Sequence, residues 1–162
     1  MLNLSPTRPT VLAVAALAAT LLTSGCERNE PGGPGDDPVK AVKDFLIDGV
    51  VDHNGYEACV FMTTRQQRAA ARRVGGPQCR QSFDLARLAL GGKSINSVHE
   101  IQRLSARSEV RGQRAWVRLR RGGDSVVFRL VKANYHEEEQ FLAPDTSWRI
   151  ASGALPLIPR RR

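Results

Sequence analysis

The chain has 162 residues, and its 24 Lys and Arg outnumber its 16 Asp and Glu, which gives a net charge of +8. This length accommodates one domain with its own hydrophobic core. The positive charge favours anionic surroundings, such as phospholipid headgroups, wall polymers or an acidic partner, without selecting among them. No catalytic or cofactor motif stands out in the sequence, so we expect no bound cofactor.

The amino terminus has the features of a secretory signal. After Arg8, residues 11–22 are uncharged and mostly apolar, and the small residues Ser24-Gly25 precede Cys26. Secretory signals combine a basic start, an apolar middle and small residues at the cleavage point. The segment resembles the signal of bacterial lipoproteins, although Thr23 occupies a position where that pattern prefers Leu. The resemblance implies cleavage after residue 25, lipidation of Cys26, and a lipid-anchored location on the extracytoplasmic side of the cell membrane.

An uncleaved transmembrane anchor is the alternative, since residues 9–26 form an uncharged stretch of about 18 residues, the lower limit for a membrane span. In the lipoprotein interpretation, residues 1–25 are the signal peptide. Residues 26–37 are then the lipidated cysteine and a flexible tether, because they are polar and contain Pro and Gly but no large apolar residue.

Two cysteines remain if lipid occupies Cys26. Cys59 and Cys79 form an even pair, which in an oxidising compartment favours a disulfide over two buried thiols. The cysteines lack the close Cys or His neighbours of a zinc site, so we expect no metal.

Helices are predicted for the first half of the folded part. Asp37 followed by Pro38 is typical of a helix start, because Asp accepts from free N–H groups and Pro fits the first helical position. Asn54 and Thr63 each begin a capping-box spacing and predict two further helices, the second ending at Gly75. A last helix is predicted at residues 78–90, before two glycines.

After residue 92, the spacing of the apolar residues changes from the helical period to alternation. Residues 98–110 predict a long, irregular strand, and residues 114–121, 125–132 and 147–152 predict three more. Residues 133–146 predict a polar loop. Helices followed by strands indicate an α+β fold, with N-terminal helices packed on a curved antiparallel sheet.

This order resembles the nuclear transport factor 2-like cone found in many bacterial lipoproteins. The resemblance is carried by packing positions and covers residues 38–155, which leaves residues 156–162 as a basic C-terminal tail. These positions are Ala41, Val42, Phe45, Leu46, Ala58, Cys59, Thr63, Thr64, Cys79, Gly112, Ala115, Val117, Trp148, Arg149 and Ile150. The family includes enzymes such as ketosteroid isomerase as well as binding modules, so the fold does not determine the function.

An enzyme of that kind needs a carboxylate base and a tyrosine or protonated acid in its pocket. The candidate acids are Asp44, Asp48, Asp52 and Asp84, and the candidate donors are Tyr56 and Tyr135. None occupies an inward position of the clear strands, so no catalytic residue and no enzymatic activity are predicted. The adjacent residues 136–139, His-Glu-Glu-Glu, are interpreted as a solvated acidic loop rather than a metal site.

A basic sheet face is the strongest candidate site. Strand parity places one set of residues on the face opposite Val117, Phe128 and Ile150. That set is Arg103, Arg107, Arg114, Trp116, Arg118, Arg120, Arg129 and Arg149. Three interpretations remain open: a solvated outer face, a homodimer or protein-partner face, and a surface for anionic headgroups or wall polymer. Nucleic acid is not expected in the inferred compartment.

The leading hypothesis is a non-enzymatic binding or accessory module on a membrane-tethered lipoprotein. One alternative is a small-ligand carrier or cone-pocket enzyme resembling ketosteroid isomerase. The other is a structural protein of the wall or membrane that uses its basic sheet face.

Overall fold

The computed structural model describes residues 36–133 and 146–160. These residues form four α-helices, a four-stranded antiparallel sheet and a separate two-stranded hairpin. The predicted α+β class is therefore confirmed.

Helix α1, Pro38–Leu46, begins at the predicted residue. The Asp37 carboxylate accepts a hydrogen bond of 2.8 Å from the backbone N–H of Val39. A π-helical turn, Ile47–Val51, continues the helix. Ala41, Val42, Phe45 and Leu46 are buried apolar side chains of α1.

Helices α2, Gly55–Val60, and α3, Thr64–Val74, also begin at their predicted caps. The Asn54 side chain accepts from the N–H of Glu57 at 3.3 Å, and the Thr63 hydroxyl accepts from the N–H of Gln66 at 3.4 Å. Gly75, with φ of 68°, ends α3 in the left-handed conformation that glycine adopts without strain.

The helix predicted at residues 78–90 is wrong. A 3₁₀ turn, Cys79–Ser82, is followed by strands β1, Leu88–Leu90, and β2, Lys93–Ile95, which form the separate hairpin. Gly91 and Gly92 both have positive φ, as a two-residue hairpin turn requires, so they join strands instead of ending a helix.

The long strand predicted at residues 98–110 is only partly right. Its first part is helix α4, Val98–Gln102, and only β3, Ser105–Arg111, is a strand. The Ser97 hydroxyl accepts from the N–H of Glu100 at 3.3 Å, so a capping box starts a helix where the alternation predicted a strand.

The main sheet has the order β3-β4-β5-β6, with β4 at Arg114–Arg121, β5 at Asp124–Lys132 and β6 at Trp148–Ser152. These three strands lie where the sequence predicts them. Residues 112–113 and 122–123 form the two-residue turns between β3, β4 and β5. The outer edge of β6 contacts the segment after α2, through a bridge between Met62 and Ile150.

The hydrophobic core lies between α1 and the inner face of this sheet. Val117, Leu119, Phe128, Leu130 and Ile150 are buried there. The same core holds a cluster of aromatic rings: the Phe45 ring lies 5.7 Å from the Phe83 ring and 6.2 Å from the Phe128 ring, both edge-to-face. Aromatic side chains therefore occupy part of the space between α1 and the sheet.

The folded part extends beyond both predicted boundaries. Asp36, predicted in the tether, accepts hydrogen bonds from the hydroxyls of Thr146 and Ser147, and its carbonyl accepts from the Trp148 indole at 3.0 Å. Leu157 and Ile158, predicted in the tail, are buried. The domain therefore includes residues 36 and 37 and continues to Ile158.

Candidate functional site: the arginine face of the sheet

The outer face of the sheet carries rows of basic side chains. Arg107 on β3 lies directly opposite Arg118 on β4, and Arg111 lies directly opposite Arg114. A further row joins Glu109, Trp116 and Arg129 across three strands. We call the exposed arginines of these strands the arginine face: Arg107, Arg111, Arg114, Arg118, Arg120 and Arg129.

Alternation along β4 produces this arrangement. Ala115, Val117 and Leu119 are fully buried on the inner side, so the residues between them point outward. Gly112, with φ of 55° at the first central position of its turn, allows the tight reversal that sets β3 in register with β4.

Glu109 is the only acid among the outward positions of β3, β4 and β5. Its carboxylate accepts from the guanidinium of Arg111, which also lies over the Trp116 ring at 5.8 Å. This local group neutralises one arginine and covers the indole with a cation. None of the other arginines of the face lies directly opposite an acidic residue in the described strands.

Like charges directly opposite one another across two strands destabilise a sheet. The face contains two such pairs, Arg107 with Arg118 and Arg111 with Arg114. An anion bound between two guanidinium groups would relieve the repulsion, because each group can donate two parallel hydrogen bonds to phosphate or carboxylate oxygens. The face therefore has the chemistry of an anion-binding surface.

Two of the predicted face residues do not belong to the exposed arginine face. Arg103 follows the last turn of α4 and is not on a strand. Arg149 lies on the predicted side of the sheet, opposite Val131, but it is buried there. It is only 5 % exposed, and its Nη1 donates to the backbone oxygens of Thr146 at 2.7 Å and of Trp148 at 3.3 Å. Arg111, which lies outside the predicted strands, also belongs to the face.

The predicted disulfide is present. Cys59 on α2 and Cys79 on the 3₁₀ turn are bonded, with Cα atoms 6.1 Å apart. Gly55 allows this close approach, because a Cβ atom at that position would collide with the carbonyl of Arg80. The disulfide joins two helical segments, and neither cysteine belongs to the arginine face.

The candidate catalytic acids do not converge on the sheet. Asp48, half-buried on the π-helical turn, is the most perturbed of them. Burial, and then the negative charges of Glu57, Asp44 and Asp52, raise its pKa to about 6. Asp84 is exposed and lines a surface cleft of about 400 Å³ together with Ser82 and Leu85, outside the helix–sheet interface. Tyr56 is also largely exposed.

Several predictions concern residues outside those that the structure describes. These are the signal at residues 1–25, the lipidation site Cys26, most of the tether and of the polar loop, Tyr135, the acidic residues 136–139 and the last two arginines. Within the described residues, no group of three or more His, Cys, Asp or Glu side chains could hold a metal ion. No helix of the described ranges is long and apolar enough to cross a membrane.

Comparison with known proteins adds no assignment. No family model matches the sequence, and neither a curated protein nor a solved structure shows significant similarity to it.

Proposed function

We propose that this protein is a lipid-anchored, non-enzymatic binding module of the cell envelope whose arginine face binds the anionic headgroups of a membrane surface. The observation that carries the proposal is the set of exposed arginines on β3, β4 and β5 with a single acidic residue among them. In this proposal Cys26 holds the lipid and residues 1–25 are removed.

The beginning of the fold supports a short connection to the membrane. Asp36, the first residue that the structure describes, accepts hydrogen bonds from Thr146, Ser147 and the Trp148 indole. Residues 27–35 therefore lie between the proposed lipid and the fold, and nine extended residues reach roughly 30 Å. A domain held this close can bring its sheet face to the headgroups. The Cys59–Cys79 disulfide is in keeping with an oxidising, extracytoplasmic compartment.

A nuclear transport factor 2-like cone is the finer fold that we propose. In its favour, helices precede a four-stranded antiparallel meander, and α1 packs across the inner face of the sheet against β3, β4 and β6. The hairpin of β1 and β2, where we expected a helix, is the main departure from the predicted order.

The headgroup proposal has better support than a small-ligand carrier or an enzyme resembling ketosteroid isomerase. Such proteins need space for a ligand between the helices and the sheet. Here Phe45, Phe83 and Phe128 are fully buried in that core. The surface of the sheet, rather than its interior, offers groups that are free to bind.

Vesicle binding tests the proposal. The protein is used as the chain from residue 26 with Cys26→Ser, so that no lipid contributes to binding. Arg114→Gln, Arg118→Gln and Arg120→Gln together should lower its partitioning onto phosphatidylglycerol vesicles by about 100-fold, because each basic residue near an anionic surface contributes about 1 kcal/mol. Neutral phosphatidylcholine vesicles should bind neither form.

The matched control removes the same charge from helix α3, outside the arginine face. Arg65, Arg68 and Arg72 are exposed on α3, and their replacement by Gln should change partitioning by no more than a few-fold. Equal losses in the two triple variants would show that net charge alone governs binding and would refute a role for the arginine face.

A further inference from the structure

Strand β3 leaves one edge of the sheet open. In the described part of the chain it pairs with β4 alone, whereas β6 at the opposite edge is bridged to Met62. Every residue of β3 except Ala106 is exposed, and Val110 is exposed to 52 %. A strand of seven residues with an open edge presents unpaired backbone N–H and C=O groups to another strand.

The turn determines which backbone groups face the open edge. Arg111 and Arg114 flank a two-residue turn, so their backbones exchange hydrogen bonds with each other. From there, hydrogen-bonded pairs and non-hydrogen-bonded pairs alternate along β3 and β4. Ala106, Ser108 and Val110 consequently direct their N–H and C=O groups away from β4. The side chains of these residues are small or apolar, so the edge lacks the proline and the inward-pointing charge that commonly protect open strands.

We propose that β3 pairs in antiparallel orientation with β3 of a second copy of this chain, with the two Ser108 residues opposite each other on a two-fold axis. The two main sheets then form one continuous sheet. In this register Arg107 lies opposite Glu109 of the other copy, and Ala106 lies opposite Val110. The charged pair is formed twice, once on each side of the axis, and the exposed Val110 gains an apolar neighbour.

The charges of β3 select this register over its neighbours. Moving the axis to Arg107 places two arginines directly opposite each other. Moving it to Glu109 places two glutamates together and Arg107 opposite Arg111. Like charges in these positions are destabilising. A shift of the pairing by one residue would place the inner side chains of one copy on the same side as the outer side chains of the other. Glu109 already accepts from Arg111 of its own strand, and its carboxylate has acceptor sites left for a second arginine.

Cysteine cross-linking tests the axis. The full chain carrying Cys26→Ser is used in mild detergent, so that the introduced thiol is the only one outside the native disulfide. Ser108→Cys should give at least about ten times more disulfide-linked dimer than Ser105→Cys under the same mild oxidation, because opposite residues lie about 5.5 Å apart. Ser105→Cys is the matched control, since it is exposed on the same strand but lies about 20 Å from its equivalent across the axis. Equal yields from the two variants would overturn the proposal.

A charge exchange tests the register independently. Arg107→Glu and Glu109→Arg should each shift sedimentation equilibrium towards monomer, because each places like charges opposite one another. The double variant restores opposite charges in both pairs and should regain the dimer of the parent chain. Circular dichroism spectra show whether each variant is folded. A double variant that remains as monomeric as the single variants, or a parent chain that is monomeric at all concentrations, would contradict the proposal.

Discussion

At the scale of single residues, the protonation state of Asp48 affects the stability of the fold. It is half-buried on the π-helical turn after α1, and three other carboxylates act on it. Burial disfavours its charged form first, and the charges of Glu57, Asp44 and Asp52 add to the effect. The pKa of about 6 means that this carboxyl holds its proton in the folded state at pH values where the unfolded chain has lost it.

The raised pKa of Asp48 makes the free energy of unfolding depend on pH. The folded state binds more protons than the unfolded state between the ordinary pKa of 3.8 and the raised value of about 6, so the contribution of Asp48 to the free energy of unfolding falls as pH rises through that window. Asp48→Asn should therefore stabilise the protein by about 1 kcal/mol at neutral pH, a value discounted for the solvent exposure of this group. The gain should disappear near pH 4.

Urea unfolding of the full chain and of Asp48→Asn at about pH 4 and at pH 7.5 measures this difference. Asp84→Asn is the control, because it removes an exposed carboxylate that is not among the charges acting on Asp48. A stabilisation of Asp48→Asn that is the same at both pH values would show that the effect is not linked to its ionisation.

At the scale of secondary-structure elements, the local signals proved reliable. Asp37, Asn54 and Thr63 all cap helices, because a capping side chain bonds to N–H groups two or three residues away and needs no distant contact. Strand β4 was equally well predicted, since apolar and polar residues alternate along it without interruption. The structure buries its inner residues fully.

Two of the errors occurred where the outcome depends on distant contacts. Phe83, Ala86 and Leu90 match helical spacing, yet Leu88 and Leu90 are equally consistent with a strand, and short apolar runs do not distinguish the two periods. Arg149 shows, for the candidate site, that a local pattern does not predict contacts with distant residues. Alternation places its side chain on one side of β6, but whether the side chain is exposed depends on what covers it in the folded protein. The missed helix α4 is different, because its Ser97 cap is a local signal that the alternation of residues 98–110 obscured.

The disulfide makes an element-scale prediction. It joins α2 to the 3₁₀ turn and closes a loop with a sequence separation of 20 residues. Replacing both Cys59 and Cys79 by Ser should lower the free energy of unfolding by about 3 kcal/mol, chiefly because the unfolded chain regains conformational freedom. Urea unfolding with and without dithiothreitol measures the loss. Dithiothreitol should destabilise the parent chain and leave the double variant unchanged, and an equal response from both would exclude a stabilising disulfide.

At the scale of the whole molecule, the proposed anchor and the proposed binding face lie on different parts of the chain. The proposal attaches a lipid to Cys26, whereas the arginines lie on β3, β4 and β5. Asp36 ties the start of the folded part to the start of β6, through the side chains of Thr146 and Ser147. The described part of the chain therefore begins beside β6, at the sheet edge opposite β3, so the open β3 edge lies away from the end that the proposed tether would join.

Processing at Cys26 gives the whole-molecule prediction. The intact mass of the protein extracted from membranes should equal the chain from residue 26 plus a diacylglyceryl group, with or without a further acyl chain on its amino group. Cys26→Ala removes the acceptor sulfur, so this variant should keep residues 1–25 and carry no lipid. An uncleaved transmembrane anchor predicts the opposite: the parent chain would retain residues 1–25, and Cys26→Ala would leave its mass unchanged apart from the substitution. Because one acyl chain binds a membrane only marginally and two bind it stably, the lipidated form should also resist extraction by high salt.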